Sequence, residues 1–253
     1  MPADRATPNL QIFADATDVA RAAADRFVEL ARASIRERGR FSVALAGGST
    51  PKRIYELLAA DELREQLDWS EVHIFFGDER CVPPDDADSN YRMANEALLS
   101  RVGVPEQNVH RMRGEGDAVA NARLYEDELR SFFGDIDWPQ FDLVMLGMGD
   151  DGHTASLFPA THALDVHSAW VTANWVEKFD AYRVTLTVPA INHARHIMFI
   201  VTGAGKAERL QEVLYGAREP HRLPSQLIQP QEGALVWFLD EAAAAKLSRK
   251  DEG

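Results

Sequence analysis

Short apolar runs of strand length recur along this chain, separated by stretches with helical periodicity, and that alternation limits what it can fold into. The runs are LQIFA (10–14), FSVALA (41–46), VHIFF (72–76), FDLVML (141–146), VTANWV (171–176), YRVTLTV (182–188), HIMFIV (196–201) and ALVWFL (234–239). Between them, residues 17–38 put Val19, Ala23, Phe27, Leu30 and Ala31 on one helical face, and residues 51–66 do the same with Ile54, Leu57, Leu58 and Leu67. Further helices are expected at 88–100, 117–133 and 204–215. Such an order predicts βαβ units, hence an α/β fold with a mostly parallel sheet flanked by helices. FDLVML reads as a strand covered on both faces. No linker, repeat or low-complexity segment divides the 253 residues, so a single domain over 1–253 is expected. The terminal stretches 1–8 and 248–253 are expected to fray.

Charge narrows the partners. Forty acids against 27 bases give a formal net charge of -13, which argues against nucleic acid, whose phosphates need a basic footprint. A small anion would have to find a local positive pocket in a negative field. Cys81 is the single cysteine, so no intrachain disulfide can form, as suits a reducing compartment. No membrane span and no secretory signal are read in the sequence. A cytoplasmic protein without a membrane partner is expected.

In open parallel sheets, ligands sit beyond the carboxyl ends of the strands, and four loops there carry chemistry. Ala46-Gly47-Gly48-Ser49-Thr50-Pro51 follows FSVALA. Its glycines permit a tight turn, Ser49 or Thr50 can cap the next helix, and that helix start offers an anion site, with Gly47, Gly48 and Ser49 as candidates. Phe76-Gly77-Asp78-Glu79-Arg80 follows VHIFF. Arg80 can clamp a phosphate or carboxylate with its planar fork of donors, and Asp78 can orient Arg80 or accept a sugar hydroxyl.

The loop Gly147-Met148-Gly149-Asp150-Asp151-Gly152-His153 follows FDLVML. It spells G-x-G-x-x-G, but its two aspartates would repel a pyrophosphate, and Pro159 stops a crossover helix too early for dinucleotide binding. His153 is the better focus. A histidine side chain can take a proton from water near neutrality, and Asp151 can hold its tautomer. Thr202-Gly203-Ala204-Gly205-Lys206 follows HIMFIV and adds a cation, Lys206. Arg183, early in an apolar strand, is either a snorkelling edge residue or a pocket residue. A metal held by His153, His162 and His167 with Asp150 and Asp151 is the competing chemistry, but these spacings match no compact ligand motif. Serine nucleophilic catalysis lacks the G-x-S-x-G turn. Neither metal nor organic cofactor is predicted.

Taken together, LAGGSTP (45–51), FFGDERCVPPDDADSNYRMANEALL (75–99), LGMGDDGHTASLFP (146–159), YRVTLT (182–187) and VTGAGKAE (201–208) resemble the 6-phosphogluconolactonases. The resemblance implies a Rossmann-like, sugar-phosphate-isomerase type fold. It also implies hydrolysis of 6-phospho-D-glucono-1,5-lactone in the pentose phosphate pathway, with a sugar phosphate lactone as the small-molecule partner. His153 and Asp151 would be catalytic, and Gly47, Gly48, Ser49, Asp78, Arg80, Arg183 and Lys206 would bind substrate. The related glucosamine-6-phosphate deaminases resemble D-E-Y where this chain has Asp78-Glu79-Arg80, and F-N-E-P where it has Ser156-Leu157-Phe158-Pro159. Leu223-Pro224-Ser225 stands where the lactonases usually have Leu-Pro-Ala. A deaminase and a non-catalytic sugar-phosphate sensor are the alternatives.

Overall fold

β1 (Asn9–Phe13), β9 (Ala234–Asp240), β8 (His196–Val201), β5 (Leu143–Leu146), β2 (Phe41–Leu45) and β3 (Val72–Phe76) lie side by side, in that order, as one parallel six-stranded sheet. The computed structural model describes residues 7–230 and 232–247. The strands follow the apolar runs because each central strand is covered on both faces: every residue of β2 and β5 is buried. Asp142, the one charge in FDLVML, lies just before β5. It is buried but accepts from Ser42 N at 2.8 Å and pairs with Arg38 at 2.9 Å, so it meets the requirement that a buried charge be partnered. Most of the residues expected to fray fall outside those described.

α1 (Ala16–Arg38) buries the face read from its periodicity, including Val19, Ala23, Phe27, Leu30 and Ala31. Asp15 caps it, accepting from Thr17 N and Asp18 N, and Gly39 ends it in the left-handed region at φ 73°. The expected helix over 51–66 is two helices, α2 (Ser49–Leu58) and α3 (Asp61–Arg64), because Ala60 turns extended at ψ 146°. The expected caps also differ. Gly48 is the N-cap of α2 and no side chain caps it, while the Thr50 hydroxyl meets that of Thr202 at 3.1 Å. α4 (Asn90–Ala97), α5 (Ala118–Phe133), α6 (Val188–Asn192), α7 (Ala207–Tyr215) and α8 (Glu241–Ala244) complete the set.

A second sheet departs from the simple βαβ reading. β4 (Asp78–Arg80), β7 (Ala181–Leu186) and β6 (Val171–Val176) form an antiparallel three-stranded sheet in the order β4-β7-β6. The charged Asp-Glu-Arg segment, expected as loop, is therefore an edge strand. The chain passes from one sheet to the other at Gly77, whose N–H donates to Leu45 O in the parallel sheet and whose carbonyl accepts from Leu186 N in the antiparallel one, both at 2.9 Å.

Within the parallel sheet, β2 is followed in sequence by β3 on one side and by β5 on the other. The strand order reverses there, which opens a crevice at the carboxyl ends of β2 and β5. Among the described residues, no helix is long and apolar enough to cross a membrane.

Candidate active site

The crevice is a cleft of about 510 Å³ walled by the loops after β2, β3, β5 and β8 and by the inner edge of the small sheet. Seven of the nine predicted site residues line it; the exceptions are Ser49 and Asp151. Ser49 begins α2 exposed and faces a separate shallow groove with Lys52, Arg53 and Glu56. Asp151 stands behind His153.

Buried tyrosines hold the mouth of the cleft. The Tyr55 hydroxyl accepts from Ala46 N at 3.0 Å and donates to Ala46 O at 2.8 Å, pinning the end of β2 just before Gly47. Tyr125 OH accepts from Phe76 N at 3.0 Å and does the same for β3. At Gly47, a Cβ would come within 1.9 Å of Asn90 Oδ1, so only glycine lets Asn90 reach across. Asn90 in turn donates to Asp78 O at 2.9 Å. No local motif marks Tyr125, because it acts on a strand end 49 residues away in sequence.

The β5 loop folds back around His153. The Asp151 carboxylate accepts both the His153 backbone N–H (3.2 Å) and, at 2.5 Å, its ring Nδ1. Burial would raise the Asp151 pKa, but the hydrogen bonds and charge of His153 and the Lys178 ammonium outweigh it and hold the carboxyl well below the usual range. With a carboxylate accepting at Nδ1, the neutral imidazole carries its proton there and leaves the Nε2 lone pair free. Phe158 stacks on the ring, centroids 4.0 Å apart. Gly149 donates to His153 O at 2.9 Å, and a Cβ on it would lie 2.0 Å from His153 Nδ1. Gly152, at φ 83°, makes the turn, and its carbonyl accepts both the N–H and the hydroxyl of Ser225 at 2.9 Å.

Asp150 takes no part in this dyad. It diverges to pair with Lys206, which keeps its carboxyl below the usual range. Among the described residues, no three His, Cys, Asp or Glu side chains gather as a metal site.

The opposite wall is cationic. Arg80 and Arg183, on neighbouring strands, both line the cleft. The Arg80 guanidinium donates to Asp88 O, and Arg183 lies over the Phe179 ring at 5.2 Å. Asp78 is buried and bound to its neighbours: Oδ2 accepts from Ser156 Oγ at 2.6 Å. Glu79 points away from the cleft, accepting Asn90 N and Tyr91 N at the start of α4 together with Arg80 N and Ser89 Oγ. Chemically, the cleft holds an oriented imidazole on one side and paired guanidiniums on the other.

The sequence model of the family described as glucosamine-6-phosphate isomerases/6-phosphogluconolactonase matches residues 14–237. A 6-phosphogluconolactonase of Synechocystis sp. is 45% identical over 218 residues, which span 85% of this chain and 88% of that protein. One from Nostoc sp. is 41% identical over 242 residues, 94% of this chain and 98% of that protein. The solved structure of 6-phosphogluconolactonase from Trypanosoma cruzi superposes with a TM-score of 0.84 at 31% identity, covering 96% of this chain and 97% of that one. Fold and sequence agree: the chain belongs to the 6-phosphogluconolactonase branch of the glucosamine-6-phosphate isomerase/6-phosphogluconolactonase family.

Proposed function

We propose that this protein hydrolyses 6-phospho-D-glucono-1,5-lactone to 6-phosphogluconate, the lactonase step of the pentose phosphate pathway, with His153 as general base. The observation that carries the reading is the His153 ring, fixed at Nδ1 by Asp151 at 2.5 Å and at its face by Phe158, in a cleft it shares with Arg80 and Arg183.

The chemistry needs no covalent enzyme intermediate, because the lactone carbonyl is already electrophilic. Nε2 of His153 takes a proton from water as the water oxygen bonds to C1 and the carbonyl π electrons move to its oxygen. The tetrahedral intermediate then collapses, the bond from C1 to the ring oxygen breaks, and the imidazolium returns its proton to that oxygen. Asp151 stabilises the imidazolium in between. The Gly149 N–H is committed to the His153 carbonyl. The backbone N–H groups of Gly47 and Gly48, which line the cleft, are therefore the donors we assign to the oxyanion or to the phosphate. Arg80, Arg183 and Lys206 hold the phosphate, and Lys206 must exchange its pairing with Asp150 to do so.

An assay on freshly prepared lactone, with spontaneous hydrolysis subtracted, tests this. Protein-dependent formation of the acid is expected. Ammonia release from glucosamine 6-phosphate instead would move the chain to the deaminase chemistry of the same fold.

A further inference from the structure

The turn between β6 and β7 reaches the catalytic dyad from the far side. It is a single 3-10 turn, Glu177–Phe179, closed by Asp180 in the left-handed region at φ 48°. Two of its side chains converge on the same pair of residues. Lys178 Nζ donates to Asp151 Oδ2 at 3.3 Å, while Asp151 Oδ1 serves the His153 ring. Phe179 packs edge-on against Phe158 at 5.6 Å, and Phe158 stacks on His153.

We infer that Lys178 is a positioning residue for the lactonase reaction, acting on His153 through Asp151; the inference rests on His153 being the general base. One carboxylate bridges an imidazole and an ammonium, one oxygen to each. The ammonium fixes the carboxylate plane, so that Oδ1 faces Nδ1. It also neutralises part of the carboxylate's charge, so Asp151 holds the imidazolium less firmly than an unpaired aspartate would. The neutral ring is the form that acts as a base. Lys178 is 61% exposed, and an exposed ion pair adds little to folding stability. Its removal should therefore register in the reaction rather than in the fold.

The other charges around the dyad are engaged elsewhere. Lys206 pairs with Asp150, and Arg209 donates to the Asp150 carbonyl at 3.0 Å. Across the cleft, Arg183 lies over Phe179, Arg80 donates to Asp88 O, and Asp78 accepts from Ser156. Lys178 is thus the cation whose contact falls on Asp151 itself.

The test compares pH profiles of kcat and kcat/KM for the wild-type protein, Lys178→Met and Lys178→Arg. The expected result is an acid limb of kcat/KM displaced to higher pH in Lys178→Met. The deficit should be roughly threefold near pH 6, the size of a screened pair interaction, shrinking as pH rises and reversed in Lys178→Arg. A profile that superposes on the wild type overturns the inference. So does a rise in KM uniform across pH, which would make Lys178 a direct substrate contact. A histidine-selective NMR titration, with the His153 signal assigned by its loss in His153→Gln, separates this from the reading beneath it. An imidazole that responds to Lys178→Met while the kinetic limb stays fixed removes His153 as the base, and the inference falls with it; an imidazole and a limb that both stay fixed overturn the role of Lys178 alone.

Discussion

Arg80 and Arg183 are directly opposed partners in the β4–β7 register, so two guanidinium groups stand side by side across one edge of the cleft. Burial, and then the charge of Arg80, hold the Arg183 pKa below its ordinary value. Like charges directly opposite one another in a sheet are unfavourable. An anion between them turns the repulsion into attraction.

Inorganic phosphate should therefore raise the melting temperature. At about a hundredfold excess over its Kd the gain is about 2.7 kcal/mol, worth several degrees for a chain of this size. The effect should shrink with ionic strength and be much reduced in Arg183→Ala. Differential scanning fluorimetry reads it, and an unshifted wild-type transition would remove the clamp.

Arg80→Ala should act on binding. Loss of a charge-assisted contact of about 1.5–3 kcal/mol raises KM for the lactone roughly ten- to hundredfold, with a smaller change in kcat. Steady-state kinetics decide it. A wild-type KM would show that Arg80 does not touch the phosphate.

His153→Ala should lower kcat by roughly 10²–10⁴-fold with the fold intact, the range for losing a general base. Circular dichroism and background-corrected turnover check the two halves of that statement. Near-wild-type turnover would end the assignment.

Gly149→Ala offers a subtler lesion. Its new Cβ would fall 2.0 Å from His153 Nδ1, so the ring must leave its seat against Asp151. We expect kcat to fall at least tenfold while KM, set on the other wall, changes little. Equal losses in both would mean that the whole loop had moved.

Acid stability should carry the mark of His73. Burial, together with His110 and Arg40, lowers its pKa from the ordinary 6.5 to about 4. The folded state keeps the ring neutral where the unfolded chain protonates it. Its contribution is complete above pH 6.5 and is lost as pH falls from there through 4. Urea denaturation at several pH values should show that decline, flattened in His73→Phe, which preserves the packing on Phe132 at 4.7 Å. Asp151 contributes with the same sign but below that window, because its folded pKa lies under the ordinary 3.8.

The parallel sheet was legible because burial on both faces writes itself as unbroken apolar runs, as in LVML of β5. The small sheet was not. β4 consists of Asp78, Glu79 and Arg80, and such charges form a strand only because Ser156, Asn90, Ser89 and the start of α4 satisfy them. At the cleft, a local motif pointed to His153 and Asp151, which bond each other two residues apart. Ser49 was drawn in by the helix-start pattern, yet Gly48 takes the cap and leaves its side chain outside the cleft. Tyr125 and Lys178 meet partners 49 and 27 residues away, a relationship that no local spacing encodes.

The antiparallel sheet draws its three strands from residues 78–80, 171–176 and 181–186, and the β5 loop lies between the first and second in sequence. Chimaeras between relatives must respect that weave. A crossover between residues 81 and 170 would take β4 from one parent and its pairing partner from the other, breaking the Arg80–Arg183 match at the same time as it redistributes the histidine turn. The arginine pair and the histidine turn, threaded through one another in sequence, can be exchanged only as one piece.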